Sequence, residues 1–419
     1  MAFGADAEAT ANGSIAIGIA TQTTNVNAVA IGTSADATGV AAVALGYAAQ
    51  AKEDETFAAG AYANATATSS IAIGYNSLAS QNSATALGRE AKATANQAIA
   101  IGYQSNADAN QAIAIGDSAL ANDSFSIAIG SGAEATGNRT IALGYQAYAS
   151  GENAAALMVG AQAVGVNSLA FGQFASAAGN NSVAVGVNAN STGVNAFAFG
   201  PNAYASGNGA FALGAGSRAV GDGAFSIGDN AYDSAGANDS LETGLGATVL
   251  VGSNAAAYGT CSLAMADNAY AYGSYSNATA ENASAFGTES HAGGTNSIAI
   301  GQFARTYGTP TDSNSTNSIA VGVSSYSQGE NATSLGTNAS SNGTNTTAIG
   351  SNATAIGTNA YASGANAFAE GRNVVAIGAG SYAYGYNTNV VSIGTDGYAS
   401  GTNAIALGAN ANAIGTNVV

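Results

Sequence analysis

The side chains best able to do chemistry, His291 and Cys261, are each unique in the chain. His291 lies in TESHAGG, where no serine–histidine–acid order surrounds it, so we predict a solvated turn residue. Cys261 lies in GTCSLAMA, within a strand-forming half repeat, where we predict a packed thiol. A single cysteine excludes a disulfide framework. Neither residue indicates catalysis, and we predict that the protein is not an enzyme.

The abundant glycines do not have the neighbours that phosphate or calcium binding requires. No GK[ST] sequence follows a glycine, as it does in a phosphate-binding loop. The GGxGxD pattern of calcium-binding β-rolls does not occur either. We therefore predict no catalytic residue, no metal site and no cofactor.

The charge balance excludes further classes of partner. The chain carries 7 Lys and Arg against 24 Asp and Glu, a formal net charge of −17. So few cations cannot neutralise a phosphate backbone, and we predict no nucleic acid partner. Attraction to anionic membrane surfaces is disfavoured for the same reason. The sequence has no run of about 20 apolar residues, so we predict no direct membrane insertion in this segment.

A glycine that recurs at a fixed interval organises the chain and must set the position of every other side chain. It stands at Gly4, Gly18, Gly32, Gly46, Gly60, Gly74, Gly88, Gly102, Gly116, Gly130, Gly144, Gly172, Gly186, Gly200, Gly214 and Gly228, and Met158 takes the intervening place. Large apolar residues precede the glycine by three places and by one, as in SIAIG at 14–18. The second half, as in PNAYASG at 201–207, has Ala at its third and fifth places. Both halves alternate with period 2, which predicts two short strands per unit. The fold predicted is an all-β parallel β-roll, or solenoid, of 14-residue coils.

The large apolar residues must point out of such a coil, because the alanines leave only methyl groups inside it. They then form a continuous outer ladder that water cannot favourably cover, which marks an interface with identical chains. The interface residues predicted are Ile15, Ile17, Val29, Ile31, Ile99, Ile101, Ile113, Ile115, Ile127, Ile129, Val183, Val185, Phe197 and Phe199. The periodicity does not fix the number of chains.

Tyrosine recurs on what should be the solvent face of the second strand. The residues are Tyr148, Tyr204, Tyr232, Tyr270, Tyr326, Tyr382 and Tyr398. Tyrosine offers a large contact area with a polar tip at a modest entropic cost, so these residues are candidates for ligand binding. The alternative is that β-propensity alone favours tyrosine on an exposed strand.

Breaks in the period divide the chain into three parts. Regular repeats cover 1–228, irregular coils or a loop cover 229–252, and repeats resume over 253–419. Short insertions are predicted in this last part at 274–280, 309–315 and 386–394. Such breaks are either surface bulges without a role or loops that project from a binding face.

Three segments carry a resemblance to a known family. NSVAVGVNA (181–189), NSIAIGQFA (296–304) and NSIAVGVSS (317–325) resemble the head repeat of the YadA-like trimeric autotransporter adhesins. The resemblance covers nearly the whole chain and implies a left-handed β-roll, a homotrimer and a bacterial surface fibre that binds host matrix or cells. Collagen binding has been associated with these head motifs, and NSIAVGVSS matches them best.

Two functions remain open on these grounds. The first is an adhesin head, a trimeric rod-like segment that binds a matrix protein, glycan or cell through its outer face. It would lie at the cell surface, anchored through parts outside this chain. The alternative is a phage tail-fibre or other structural shaft that acts mainly as a spacer. Ice binding is less supported, because no column of threonines is present. Both ends stop in mid-coil, which indicates either a piece of a longer fibre or end-to-end stacking of the coils into a filament.

Overall fold

The computed structural model describes residues 1–234, 237–250, 252–307, 315–386 and 389–419. The chain forms two compact units, Met1–Ala203 and Tyr204–Val419. Both are parallel β-solenoids, together about 29 turns, and the described residues include no α-helix. The predicted all-β solenoid is therefore confirmed.

Each turn of the solenoid contributes one strand to each of two sheets. Sheet 1 contains the strands that precede the unit glycine, and sheet 2 contains the strands of the second half repeat. A strand pairs in parallel with its equivalent in the next turn, as Ile99–Ile101 pairs with Ile113–Ile115. In that pair Ala100 lies opposite Ala114, its equivalent one full repeat later. The sequence period thus becomes the hydrogen-bonding period of the sheet.

The first unit is regular from end to end. Its sheet 1 strands are Ala2–Phe3, Ile15–Ile17, Val29–Ile31, Val43–Leu45, Phe57–Ala59, Ile71–Ile73, Thr85–Leu87, Ile99–Ile101, Ile113–Ile115, Ile127–Ile129, Ile141–Leu143, Ala155–Leu157, Leu169–Phe171, Val183–Val185 and Phe197–Phe199. Its sheet 2 strands are Glu8–Ala9, Gln22–Thr23, Asp36–Ala37, Gln50–Ala51, Asn64–Ala65, Leu78–Ala79, Lys92–Ala93, Asn106–Ala107, Leu120–Ala121, Glu134–Ala135, Tyr148–Ala149, Gln162–Ala163, Ser176–Ala177 and Asn190–Ser191.

The second unit has the same architecture with longer strands towards its end. Its sheet 1 strands are Phe211–Leu213, Phe225–Ile227, Leu241–Thr243, Ala256–Tyr258, Tyr270–Tyr272, Ser284–Phe286, Ile298–Ile300, Ile319–Val321, Thr333–Leu335, Thr347–Ile349, Tyr361–Ser363, Val374–Ile377, Val390–Ile393 and Ile405–Leu407. Its sheet 2 strands are Tyr204–Ala205, Arg218–Ala219, Tyr232–Asp233, Thr248–Val249, Leu263–Ala264, Asn277–Ala278, His291–Ala292, Arg305–Tyr307, Tyr326–Gln328, Ser340–Asn342, Thr354–Thr358, Phe368–Arg372, Tyr382–Gly385, Tyr398–Thr402 and Asn412–Thr416.

The interior is lined almost entirely by small side chains. In one turn of the first unit, Ala28, Ala30, Ala35 and Ala37 are all fully buried, and the equivalent residues of neighbouring turns repeat the pattern. Larger fully buried side chains are few among the described residues, and the largest are Glu242, Val249, Val374 and Val390. The residues that flank each interior alanine in sheet 1 therefore point outward, as the sequence predicts.

Two kinds of corner close each turn. At the unit glycine the backbone has a φ that only glycine adopts readily, +130° at Gly102, where a Cβ would overlap the carbonyl oxygen of Gly116. A left-handed helical position lies two places after the unit glycine and again in the other corner; asparagine commonly occupies it, as at Asn188 and Asn181, each with φ 55°. Met158 takes a glycine corner with φ 99° and leaves its side chain exposed.

Asparagines at the second corner bond to one another from turn to turn. The Nδ2 of Asn153 donates to Oδ1 of Asn167 at 3.0 Å, and the bond repeats from Asn167 to Asn181 and from Asn181 to Asn195. In the second unit the same ladder runs through Asn331, Asn345, Asn359 and Asn373. Each asparagine amide thus donates a hydrogen bond to the amide oxygen of the next asparagine, and these bonds connect adjacent turns.

The breaks in the period turn out to be small. The predicted insertion at 274–280 is wrong, since Asn277 pairs with Leu263 and with His291, each one regular repeat away. Within 229–252, two strands of sheet 2 and one of sheet 1 continue the solenoid. The spacing between paired residues of adjacent turns lengthens there from 14 to 16 residues between Phe225 and Leu241, and is 15 residues between Leu241 and Ala256.

The other two predicted insertions adjoin residues whose structure is not described. Most of 309–315 lies outside the described residues, but the flanking strands pair Ile298 with Ile319 in a register of 21. In 386–394, residues 387–388 are not described, and Tyr382 pairs with Tyr398 in a register of 16. In both places the extra residues leave the pairing on either side intact.

Two acidic side chains enter the interior where the register lengthens. Asp233 and Glu242 are fully buried; Glu242 lies between Ser226 and Ala257 of the adjacent turns, and Asp233 lies opposite Val249. The Oδ2 of Asp233 accepts hydrogen bonds from the backbone N–H of Val220 and Gly221, at 2.7 and 2.6 Å. Burial, followed by the charge of Asp233, raises the pKa of Glu242 to about 8. Glu242 therefore holds a proton at neutral pH.

Candidate binding surfaces

An apolar strip covers the outer face of sheet 1 in each unit. We define it as the outward residues of the sheet 1 strands, which are the first and third of each three-residue strand and the second and fourth of Val374–Ile377 and Val390–Ile393. Every interface residue named from the sequence lies on this strip in the first unit, either half-buried between its neighbours or exposed. Ile31 is 41% exposed and Leu143 is 45% exposed, although both are large and apolar. The strip is thus left uncovered by the chain's own residues.

Aromatic rings replace aliphatic residues on the apolar strip of the second unit. Phe211 and Phe225 stack with ring centroids 4.6 Å apart. Tyr272 stacks on Phe286 at 5.1 Å. Tyr270 lies in this sheet, in the strand Tyr270–Tyr272, and not with the other predicted tyrosines. The predicted placement of Tyr270 on sheet 2 is wrong, because Tyr270 lies three residues before the corner glycine Gly273, which is the place of the first sheet 1 residue.

The other six tyrosines lie on the outer face of sheet 2, Tyr148 in the first unit and the rest in the second. Tyr382 and Tyr398 stack almost parallel, with centroids 5.0 Å apart. The Arg218 guanidinium lies over both Tyr204 and Tyr232, at 4.9 and 5.5 Å from the ring centroids. The structure therefore gathers these tyrosines into local pairs and does not form one continuous strip.

A groove on sheet 2 of the second unit combines aromatic, basic, acidic and neutral polar side chains. Its volume is about 430 Å³, and it is lined by Tyr275, Asn277, Glu289, His291, Arg305 and Tyr307. Three successive turns supply these residues. The strand register sets Asn277, His291 and Arg305 side by side.

The polar groups of the groove are held by neighbours within it. Nη1 of Arg305 donates to Oη of Tyr307 at 3.2 Å. The ring of His291 lies 6.1 Å from that of Tyr307, measured between centroids. Burial, and then the nearby Arg305 charge, lowers the pKa of His291, so the imidazole is neutral at physiological pH. The groove thus presents one guanidinium, one carboxylate and several neutral donors and acceptors.

His291 and Cys261 both differ from the sequence predictions. His291 belongs to the strand His291–Ala292 and is half-buried, so it is not a solvated turn residue. Cys261 occupies a left-handed corner with φ 52° and is exposed, so its thiol is not packed. The regular spacing of Asn277, His291 and Arg305 is the signal from which the sequence could have placed them in one column.

The described residues contain no cluster of three or more His, Cys, Asp or Glu side chains able to hold a metal ion. Within the same part of the chain, no helix is long and apolar enough to span a membrane.

Comparison with known proteins gives one family. A family model described as the YadA head domain repeat matches, in overlapping copies, residues 1–133, 135–157, 163–189, 191–231, 266–304, 313–381 and 399–419. The largest gaps between these matches, 232–265, 305–312 and 382–398, fall where the register lengthens.

Structural comparison matches the collagen-binding domain of the Yersinia adhesin YadA, at 17% sequence identity. The match covers 50% of this chain and 81% of that one, with a TM-score of 0.13. A search among curated proteins gave no match.

Proposed function

Because the chain belongs to the YadA head domain repeat family, we propose that it is the head of a trimeric surface adhesin. Three copies would bury their apolar strips against one another, which leaves sheet 2 of each copy facing outward. The observation that carries this proposal is the uncovered strip of Ile, Val, Leu and Phe on sheet 1. The left-handed coil and the location at the cell surface are part of the same proposal.

The ligand face of this assembly would be the outer face of sheet 2. It carries the paired tyrosines and the groove, which are large rigid rings with polar tips beside charged groups. Matrix proteins such as collagen, which the family resemblance implies, and cell-surface glycans are the proposed ligands. Paired aromatic rings offer a ligand a large apolar contact area. The strands that carry the rings are already ordered before the ligand binds.

The experiment is a binding assay of the full chain on immobilised collagen, other matrix proteins and whole cells, measured by surface plasmon resonance. The double substitution Tyr382→Ser with Tyr398→Ser removes one stacked pair. We expect binding to weaken by about tenfold or more, since two anchoring rings are lost. The far-ultraviolet circular dichroism of the variant should match that of the unmodified protein.

Tyr47→Ser provides the matched control, because Tyr47 is an exposed tyrosine in a turn outside sheet 2. Its loss should leave binding unchanged. Equal binding by the double variant would remove the tyrosine pair from the ligand face. Failure of the unmodified protein to bind any matrix protein or cell would favour a spacer shaft instead.

A further inference from the structure

We propose that the groove on sheet 2 of the second unit binds the acidic sugar at the end of a glycan chain. This inference rests on the proposed adhesive function and specifies one ligand class for it. The groove spans three turns, about 10 Å at the usual strand spacing of roughly 4.8 Å. Its volume of about 430 Å³ lies in the range typical of small-molecule sites.

The guanidinium of Arg305 supplies the charge that an acidic sugar needs. Among the described residues, ion pairs form between Arg89 and Glu90 and between Arg139 and Glu152, and none involves Arg305. Arg305 is exposed and is held by its hydrogen bond to Tyr307. A guanidinium fixed in this way can donate two parallel hydrogen bonds to one carboxylate. Arg218 and Arg372 also form no ion pair among the described residues, so what distinguishes Arg305 is its place in the groove beside Tyr307 and His291.

The other residues of the groove match the remainder of a sugar. Tyr275 and Tyr307 are 57% and 42% exposed and offer ring faces to the C–H surface of a pyranose. Asn277 and the neutral His291 can each donate and accept hydrogen bonds, as sugar hydroxyls require. This combination of flat apolar faces with neutral polar groups favours a sugar over a simple inorganic anion.

The net negative charge of the protein favours a ligand with one acidic group over a polyanionic ligand. The formal net charge of −17 repels long sulfated or phosphorylated chains, and the groove itself contains the carboxylate of Glu289. A neutral oligosaccharide with one terminal carboxylate can bring that group to Arg305 without repulsion along the rest of the sugar chain. A sialic or uronic acid at the end of a neutral oligosaccharide meets both conditions.

The test compares sialyllactose with lactose, which differ by the acidic sugar, in titration calorimetry with the full chain. We expect sialyllactose to bind at least tenfold more tightly than lactose. Arg305→Gln should weaken sialyllactose binding at least tenfold, and Glu289→Gln should strengthen it, since a like charge is removed. Arg218→Gln is the matched control, because that arginine lies on the same sheet between two tyrosine rings outside the groove. Thermal unfolding should show that all three variants are folded.

Several outcomes would overturn the proposal. Equal binding of lactose and sialyllactose, or full binding by the Arg305→Gln variant, would exclude an acidic sugar at this place. A glutamate-rich peptide that binds as tightly as sialyllactose would reassign the groove to protein carboxylates. Matrix binding that persists while sialyllactose fails would refute this inference alone, whereas loss of all binding by the unmodified protein would refute the adhesive function as well.

Discussion

At the scale of single residues, the interior tolerates little besides methyl and hydroxymethyl groups, and Glu242 is its largest fully buried side chain. Its pKa of about 8 follows from burial and from the nearby carboxylate of Asp233, whose own pKa burial also raises. The folded chain therefore binds protons that the unfolded chain has released. Stability at this site is present at low pH and declines as the pH rises from the ordinary range of a glutamate towards 8.

We expect Glu242→Gln to remove most of this pH dependence. Between about pH 5 and 9 the unmodified protein should lose stability, on the order of a few kcal/mol at this site. The variant should show a flatter profile and a higher melting temperature at pH 9, because no charge is then forced into the core. Thermal unfolding across this pH range measures the effect. Glu330→Gln, at an exposed turn, is the control and should follow the unmodified protein, whereas parallel profiles for Glu242→Gln would contradict the account.

At the scale of the elements, the two corners of each turn have different requirements. The glycine corner has a φ near +130° and lies against the backbone of the next turn, as Gly102 lies against Gly116. The left-handed position has a φ near 55° and admits a side chain. At Gly209 no atom lies within 4 Å of a Cβ, whereas at Gly216 and Gly380 a Cβ would meet the Oδ1 of Asn230 and Asp396 in the next turn. A glycine is thus strongly favoured at the first position, where Met158 is an exception with φ 99°, and is exchangeable at the left-handed position.

This difference predicts opposite results for one substitution made at two places. Gly102→Asn should destabilise the protein by about 1–3 kcal/mol from backbone strain alone, with the overlap on Gly116 adding to that loss. Gly209→Asn should be neutral or slightly stabilising, because asparagine adopts its φ of 68° and restricts the unfolded chain. Chemical denaturation of the two variants makes the comparison. Equal losses at both corners would show that the distinction is wrong.

The same corners explain how far the sequence predicts the fold and the site. The glycine period places the strands and the alanine core correctly, because each turn repeats the same steric demand. After Phe225 the sequence no longer gives the position of a residue within its turn. The spacing between paired strands lengthens twice before Ala256, while the pairing itself continues. Tyr270, Cys261 and His291 all lie beyond that point, which is why their predicted places are wrong. The sequence alone does not show whether an extra residue bulges out before or after a corner, and the places of the residues that follow depend on this.

At the scale of the whole molecule, the proposed trimer depends on burial of the apolar strip. Each large side chain of the strip that becomes buried between copies contributes roughly 1.5–3 kcal/mol, and the strip repeats in every turn of the first unit. A charge placed on it must be desolvated in the assembly, which opposes association.

We expect the unmodified protein to sediment as a trimer, and Ile113→Glu combined with Ile127→Glu to shift it towards monomer. The reason is that two carboxylates would have to be buried in the interface. Leu120→Glu is the matched control, since it places a charge in the same turns but on sheet 2. Analytical ultracentrifugation at micromolar concentration measures the distribution, and a monodisperse monomer of the unmodified protein would contradict the assembly.

Pairing between consecutive turns also determines how the chain orders itself during folding. Each strand pairs with its equivalent one repeat along the chain, as Ile99 does with Ile113, and even the widest described spacing, from Ile298 to Ile319, joins neighbouring turns. The loop closed by each pairing is therefore short, and its entropic cost does not grow with the total length of the chain. A chain built in this way can gain further turns without making the closure of any one of them slower or more costly.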